Sequence, residues 1–313
     1  MDRQAPLIVI TGPTASGKTD LALELARSFP LEVVSADSMQ VYRHMDIATA
    51  KPSPEVLAAL PHHLIDLVEP DEEFNAGMFV SHASRAITEV RSRRAIPVVV
   101  GGTGLYIKAL IYGLAPVPSR SEPLRRVLNQ SAQEKGTSFL WSMLHRLDPE
   151  AALGLSANDR VRIVRNLEII FLTGRRPSEC LKQHGFERPR IEALTVCVMP
   201  DRSELYERID TRVERMVAQG LIDETERLLA LGFHSSLRSM QTLAYRHVVD
   251  YLDSKIGLDE AISLIQRDTR RYAKRQITWM RSHYGPEAFH SPAEARSLLE
   301  RRLEAVYRSI LHG

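Results

Sequence analysis

The segment near the N-terminus constrains the fold more than any other part of the chain. The apolar run Leu7–Ile10 leads into Gly12-Pro13-Thr14-Ala15-Ser16-Gly17-Lys18-Thr19, which fits the pattern G-x-x-x-x-G-K-[ST]. Apolar residues then recur at helical spacing from about Lys18 to Ser28. The order predicted is therefore a strand, a glycine-containing loop and a helix, which is the context in which this motif binds phosphate groups.

The chemistry expected of this phosphate-binding loop (P-loop) follows from its backbone and its charge. Glycines let several N–H groups point at one anion, and the helix that follows adds the positive end of its dipole. Lys18 adds a full positive charge, and the Thr19 hydroxyl is a candidate ligand for Mg²⁺. The loop predicts a di- or triphosphate ligand, and it leaves open whether a phosphoryl group is transferred. The predicted ligand-binding residues are Gly12, Pro13, Thr14, Ala15, Ser16, Gly17, Lys18 and Thr19.

Further short strands alternate with helical segments. Glu32–Ala36 and Ile96–Val100 are apolar and β-branched, and Ala193–Met199 has the same texture. This alternation predicts an α/β fold with a parallel sheet.

A helical block interrupts the strands. Prolines punctuate a linker after Pro116, and three helices are then predicted, at Leu124–Leu147, Pro149–Leu155 and Asn158–Leu172. The organisation expected is the first part of an α/β core at 1–116, a helical insertion domain at 117–192, and the rest of the core with C-terminal helices at 193–313.

Charge and cysteine usage give only broad limits. The formal net charge of +2 is too small to indicate nucleic-acid binding by itself, so a basic patch must be found by position. Cys180 and Cys197 are too few for a disulfide framework. The beginning of the chain lacks the pattern of a secretory leader, and no apolar run is long enough to span a bilayer. We therefore expect a cytoplasmic protein that does not associate with membranes.

Two polar residues follow predicted strands of the sheet. Asp37 comes after the second strand and Thr103 after the third, and ligands of open parallel sheets bind beyond the carboxyl ends of strands. A cap or turn position is an equally good reading of either residue taken alone. The third strand ends in Gly-Gly-Thr rather than in the Asp that often helps to bind Mg²⁺ in P-loop hydrolases, which argues against a simple ATPase.

The segment Arg267–Arg281 is rich in basic residues. Five of them recur at helical spacing and would form one stripe on a helix, and such a stripe suits a phosphate backbone. The alternative is a solvated helix face. The five residues are Arg267, Arg270, Arg271, Lys274 and Arg275.

The motifs taken together resemble the tRNA dimethylallyltransferase family, and they occur in the order typical of that family from Thr11 to Arg281. The matching blocks are GPTASGKT, DSMQVYRHMDIATAKP, PHHLID, GGTGLYIKAL, NDRVRIVRNLEI, RIDTRVERM, GLIDE and KRQITWMR. The resemblance implies transfer of a dimethylallyl group from its diphosphate to N6 of adenosine at tRNA position 37. Mg²⁺ is the implied cofactor, and a monomer that binds the anticodon stem-loop is expected.

The resemblance also implies a role for individual residues. Asp37 matches the general base, while Thr103 and Arg212 match residues that bind the diphosphate. Contacts to tRNA are implied for Asp37, Ser38, Met39 and Gln40, and for Val161, Arg162, Ile163, Val164 and Arg165. From the basic stripe, Arg271, Lys274 and Arg275 are added as predicted tRNA contacts.

The chain departs from the family pattern at two places, and other functions share its motifs. Ala244 stands where the family often has glycine, and Ser156-Ala157 replace its usual His-Pro. An isopentenyltransferase acting on free adenine nucleotide and a small-molecule kinase that binds ATP would share the P-loop, and a non-catalytic RNA-binding protein would not need Asp37. The helical insertion and the basic stripe favour a tRNA substrate.

Overall fold

The computed structural model describes residues 6–185 and 188–312, and within them six strands form one parallel sheet in the order β3-β2-β4-β1-β5-β6. The α/β fold predicted from the sequence is thereby confirmed. The strands are β1 (Leu7–Thr11), β2 (Leu31–Ser35), β3 (His62–His63), β4 (Ile96–Gly101), β5 (Ala193–Val198) and β6 (Phe289–His290).

The helices lie between the strands and after them. They are α1 (Lys18–Ala26), α2 (Pro54–Ala59), α3 (Ala76–Ser92), α4 (Gly104–Tyr112), α5 (Glu122–Lys135), α6 (Thr137–Leu147), α7 (Pro149–Leu153), α8 (Arg160–Thr173), α9 (Pro177–His184), α10 (Arg202–Ala218), α11 (Leu221–Ala230), α12 (Tyr245–Leu252), α13 (Leu258–His283) and α14 (Pro292–His312). In the part of the chain that the structure describes, none of them is both long and apolar enough to cross a bilayer.

The centre of the sheet is apolar on both faces. Every residue of β1 and of β4 is buried, which is why both strands read as continuous apolar runs in the sequence. The two strands pair with Ile8 opposite Val98, and their carboxyl ends deliver the P-loop and the Gly101–Gly104 turn to the same edge. The strands β3 and β6 have two residues each, too few to produce a sequence pattern.

The chain separates into two compact units, Met1–Ile111 with Arg190–Gly313, and Tyr112–Pro189. The first contains the sheet. The second is helical and was expected at 117–192. Its core is formed by apolar residues of four helices, namely Leu128, Ala132, Leu140, Leu144, Ala152, Ile163, Val164 and Leu167.

One predicted helix of the second unit is wrong. The segment Leu124–Leu147 is not continuous, because α5 ends at Lys135 and α6 begins at Thr137. Gly136 between them has a φ of 84° and a ψ of 156°, a conformation open to glycine and costly for other residues. The side chain of Asp159 accepts a hydrogen bond from the N–H of Arg162 at 3.2 Å, so α8 begins after Asp159 rather than at Asn158.

Candidate functional site

The P-loop lies between β1 and α1, with its glycines where the backbone requires them. Gly12 has a φ of 151°, and a Cβ there would lie 2.4 Å from the carbonyl oxygen of Val198 on β5. The Lys18 ammonium folds over the loop and donates to the carbonyl oxygen of Pro13 at 2.7 Å and to Ser16 Oγ at 3.3 Å. The loop and its lysine are therefore already folded around the start of α1.

The electrostatics at the loop favour an anion. Burial, and secondly the nearby guanidinium of Arg212, lower the pKa of Lys18 to about 8, while the carboxylate of Asp37 acts in the opposite direction. Burial also lowers the pKa of Arg212, which makes no hydrogen bond or ion pair with any residue that the structure describes. A bound anion would relieve the repulsion between these two cations.

Asp37 and Thr103 lie side by side after β2 and β4. Asp37 Oδ1 accepts from the N–H groups of Met39 at 2.8 Å and Gln40 at 3.4 Å, so it caps a turn and not a helix. Within the described chain its second oxygen, Oδ2, accepts no hydrogen bond. Thr103 Oγ1 accepts from the N–H of Ser38 at 3.1 Å, which fixes the Asp37 turn to the end of β4.

A cavity of about 490 Å³ is lined by Asp37, by Thr14 of the P-loop and by Arg212. Asp37 is the one carboxylate among its described lining residues, and the cations lining it are Arg212, Arg238 and Arg275. Four aromatic rings also line it, those of Tyr42, Phe74, Tyr106 and Tyr272. Burial raises the pKa of Tyr106 and that of Tyr272 to about 12, so both remain neutral phenols near pH 7.

Several residues of the cavity were missed by the sequence analysis. Ile265, Thr269 and Tyr272 lie along one side of α13 with Arg275, which was predicted as a tRNA contact, and Tyr42 and Tyr106 belong to motif blocks that were quoted without a role. The spacing of 265, 269, 272 and 275 was a usable signal for one cavity-facing side of that helix. Phe74 and Arg238 gave no signal, because neither belongs to a motif.

The predicted tRNA contacts of the Asp37–Gln40 segment divide into two groups. Ser38 and Met39 line the cavity with Asp37. The Gln40 side chain is used inside the protein: its Oε1 accepts from Ser35 Oγ at 3.0 Å, and its Nε2 donates to the carbonyl oxygen of Ala50 at 3.2 Å. Gln40 therefore supports the segment through its side chain.

In the helical unit, the predicted Val161–Arg165 contact requires a correction. Val161 and Arg162 are exposed, but Ile163 and Val164 are buried in the core of the unit, so their side chains cannot reach an RNA while α8 stays packed. Arg165 pairs with the buried carboxylate of Glu168 at 2.5 Å and donates to the carbonyl oxygen of Pro118 at 2.7 Å.

The basic stripe on α13 is partly neutralised. Asp268 is buried and its carboxylate is surrounded by basic side chains. Its oxygens lie 3.0 Å from Arg267 Nε, 3.3 Å from Arg271 Nη1 and 3.0 Å from His247 Nε2, and Arg246 also pairs with it. Burial opposes ionisation of Asp268, but hydrogen bonds led by that from Arg267 outweigh burial and keep its pKa well below the usual range.

The remaining residues of the stripe differ in their surroundings. Arg270 pairs with Asp210 of α10. Lys274 and Arg275 have no carboxylate partner among the described residues, and Arg275 lines the cavity. Only part of the stripe is therefore available as unneutralised charge.

A divalent ion would have few protein ligands here. Within residues 6–185 and 188–312, no three His, Cys, Asp or Glu side chains are grouped to bind a metal. Thr19 is exposed on the first turn of α1, where a hydroxyl can serve as one ligand beside the oxygens of a phosphate. The residues present therefore fit Mg²⁺ bound together with a diphosphate.

Both departures from the family pattern are accommodated locally. Ala244 has a φ of −93°, which needs no glycine, and it lines the cavity. The carbonyl oxygen of Ser156 accepts from the N–H of Asp159 at 2.9 Å, so the altered segment still forms a turn before α8.

Comparison with known families and proteins gives one consistent result. The family model described as IPP transferase matches residues 40–283. A protein named tRNA dimethylallyltransferase 1 from Syntrophotalea carbinolica is 50% identical over 278 residues, which is 89% of this chain and 88% of the relative. The tRNA dimethylallyltransferase of Geobacter sulfurreducens is 47% identical over 292 residues, covering 93% of this chain and 94% of the relative.

Solved structures agree with the sequence relatives. The full-length tRNA isopentenylpyrophosphate transferase of Bacillus halodurans matches with a TM-score of 0.69 and 36% identity, covering 99% of this chain and 100% of that one. A eukaryotic dimethylallyltransferase solved as it acts on tRNA matches with a TM-score of 0.75 and 28% identity, over 88% of this chain and 70% of that one.

Proposed function

Since this chain belongs to the IPP transferase family, we propose that it transfers a dimethylallyl group from dimethylallyl diphosphate to N6 of adenosine at position 37 of tRNA. The products are N6-dimethylallyladenosine and diphosphate. The observation that carries the proposal is the lining of the cavity. Thr14 of the P-loop, the cation Arg212 and the carboxylate Asp37 all line it, and among the described residues Arg212 has no ion-pair partner and Asp37 is the one lining carboxylate.

The donor site uses the P-loop as an anion site for diphosphate and not for a nucleotide that is hydrolysed. Negative charge develops on the departing diphosphate as the bond from carbon to oxygen breaks. Lys18, Arg212 and the N–H groups at the start of α1 stabilise that charge more strongly than they stabilise the bound donor. Burial and, secondly, the nearby Arg212 lower the pKa of Lys18, and this concentration of buried positive charge supports the assignment.

The acceptor site uses Asp37 as the general base. An adenine amine is a poor nucleophile, because its lone pair is delocalised into the ring. A carboxylate that takes the amine proton while the C–N bond forms contributes a factor of about 10²–10⁴. Asp37 Oδ1 is fixed by the N–H of Met39 at 2.8 Å, and Oδ2 remains to accept the proton.

We propose Mg²⁺ as the cofactor, bound through the Thr19 hydroxyl together with oxygens of the diphosphate. When bound, it neutralises part of the charge on the leaving group. The protein's own contribution is to orient the donor, which the P-loop amides and Arg212 perform.

For the tRNA, we propose that the target base leaves the stack and enters the cavity, since an amine inside a stacked anticodon loop is out of reach. The aromatic rings that line the cavity suit a flipped base, which is bound by stacking. Lys274, Arg275 and the exposed residues Val161 and Arg162 are proposed contacts to the anticodon stem-loop. A cytoplasmic location and a monomeric state stay predictions.

One experiment tests the function directly. The pure protein is incubated with unmodified tRNA, Mg²⁺ and dimethylallyl diphosphate, and the anticodon-loop fragment is weighed by mass spectrometry. We expect one C₅H₈ unit to be added to adenosine 37. Label that enters AMP instead would favour an isopentenyltransferase of free nucleotides, and phosphate transfer from ATP would favour a kinase.

A further inference from the structure

A single glutamine of α13 connects the two strands whose ends form the site. Gln276 Oε1 accepts from the N–H of Thr14 in the P-loop at 2.9 Å, and Gln276 Nε2 donates to the carbonyl oxygen of Gly102 after β4 at 3.0 Å. The side chain is 8% exposed. An amide is the one side chain of this shape that offers an acceptor and a donor in these directions without a charge.

The Gly101–Gly104 turn is shaped by the same helix. A Cβ on Gly102 would lie 2.5 Å from Gln276 Nε2, and one on Gly104 would lie 2.1 Å from the Trp279 ring. The backbone of the turn therefore packs directly on two side chains of α13. Any movement of this part of α13 would be transmitted to the turn, because interiors are close-packed.

The turn continues the connection to the proposed base. Thr103, the next residue after Gly102, donates its N–H to the carbonyl oxygen of Ala36 at 3.1 Å and accepts from the N–H of Ser38 at 3.1 Å. These two partners flank Asp37. Hydrogen bonds, and the backbone between them, thus connect the P-loop through Gln276 and the turn to the two residues on either side of Asp37.

We propose that Gln276 is a positioning residue, which sets the P-loop and the Asp37 turn at a fixed separation and must be neutral because it lies beside the anion site. This inference rests on the proposed function, since it assigns Gln276 to the donor site of that reaction. The amide satisfies one loop N–H and leaves those at the start of α1, which have no partners within the helix, for the diphosphate.

Two substitutions separate charge from positioning. Gln276→Glu keeps the shape and the acceptor for Thr14, loses the donor to Gly102 and adds a negative charge, whereas Gln276→Met keeps the approximate length, loses both hydrogen bonds and adds no charge. Gln266→Glu on the same helix is the matched control, because it makes the same chemical change ten residues away, about 15 Å along α13.

Binding of inorganic diphosphate with Mg²⁺, measured by calorimetry, is the first readout. We expect Gln276→Met to weaken binding about fivefold. For Gln276→Glu we expect a further loss of roughly 30-fold, from repulsion between the carboxylate and the anion. The control should stay within about twofold of wild type. Equal affinities of Gln276→Glu and Gln276→Met would overturn the requirement for neutrality.

Turnover at saturating donor is the second readout. If Gln276 also positions the Asp37 turn, Gln276→Met lowers kcat about tenfold while tRNA affinity is unchanged. A variant that only loses thermal stability, with kcat and diphosphate affinity as in wild type, would overturn the proposal. A wild-type protein that binds diphosphate but modifies no tRNA would contradict the proposed function and leave the calorimetric test of Gln276 intact.

Discussion

Two groups of cations in the first unit are alike in residue type and differ in their surroundings. At the P-loop and the adjoining cavity, Lys18 and Arg212 have no carboxylate within ion-pairing distance among the described residues, and burial lowers the pKa of both. On α12 and α13, Arg246, Arg267 and Arg271 surround one buried carboxylate, Asp268. The first group can therefore bind an anion from outside the protein, while the second already pairs with the carboxylate of Asp268.

The difference shows that the position of carboxylates decides what a basic residue does. Arg212 follows Asp210 by two residues in α10, but Asp210 pairs with Arg270 of α13 and leaves Arg212 to the cavity. A basic stripe counted from the sequence does not distinguish these cases. Substitutions in the two groups should therefore change different properties of the protein.

The largest effect is expected at the carboxylate that faces the cavity cations. Asp37→Asn retains an oxygen that can accept from the N–H of Met39, so the turn should remain folded. Loss of the base should lower kcat by about 10²–10⁴ with tRNA affinity unchanged. Single-turnover kinetics with exposed Asp71→Asn as a control measure this, and a kcat close to wild type would remove Asp37 from the role of base.

Lys18→Met should weaken diphosphate binding roughly 100-fold at pH 7, since a charged hydrogen-bond donor is lost from a desolvated site. The pKa of Lys18 is about 8, so the wild-type advantage over the variant should shrink as the pH rises above 8. Lys18 also affects stability. Between pH 8 and 10.5 its amine is protonated to a greater extent in the unfolded chain than in the folded one, so its contribution to the free energy of unfolding rises with pH in that range. Diphosphate affinity measured from pH 6 to 9.5 for both proteins gives the result. A constant ratio would show that the ammonium does not contact the anion.

Asp268→Asn should act on stability, because it leaves several cations without their shared partner. We expect a loss of about 2 kcal/mol in the free energy of unfolding, less than for a fully buried pair since the guanidiniums reach solvent. The folded-state pKa is depressed, so the contribution is present above the ordinary value of 3.8 and is lost as the pH falls through the acidic range. Urea unfolding of the wild type and the variant at pH 7 and pH 3 measures both the loss of stability and its dependence on pH. A fall in kcat at unchanged stability would place this cluster in the catalytic site.

The smallest effect is expected where a stripe residue has no carboxylate partner among the residues that the structure describes. Lys274→Gln should weaken tRNA binding about threefold and reduce the salt dependence of binding by about one counterion. Lys255→Gln is the control, because Lys255 is also exposed but pairs with Asp250 and Asp253. The tRNA affinities of the wild type and of both variants, measured at several salt concentrations, test this prediction. An equal change in both variants would mean that the stripe contacts no RNA phosphate.

Much of the first unit was predictable, because its signals are local. The P-loop has a fixed spacing, and the fully buried strands β1 and β4 have no polar side chain except that of Thr11 at the end of β1. The break at Gly136 was missed, because apolar spacing continues across it and only the backbone conformation at that residue separates the two helices. The burial of Ile163 and Val164 was missed in a motif whose polar residues drew attention to RNA.

By itself, the sequence determined the phosphate loop, the parallel α/β class and the order of the motifs, since each depends on residues close together in the chain. Only the tertiary structure decided which carboxylate neutralises which cation. It also decided that Gln276 joins the P-loop to the Gly102 turn, since Gln276 lies 262 residues after Thr14 and 174 residues after Gly102 in the chain. The reason is physical. Hydrogen bonds and ion pairs between segments that are far apart in the chain require distances of a few ångströms in space. Those distances exist only once the sheet and α13 have packed.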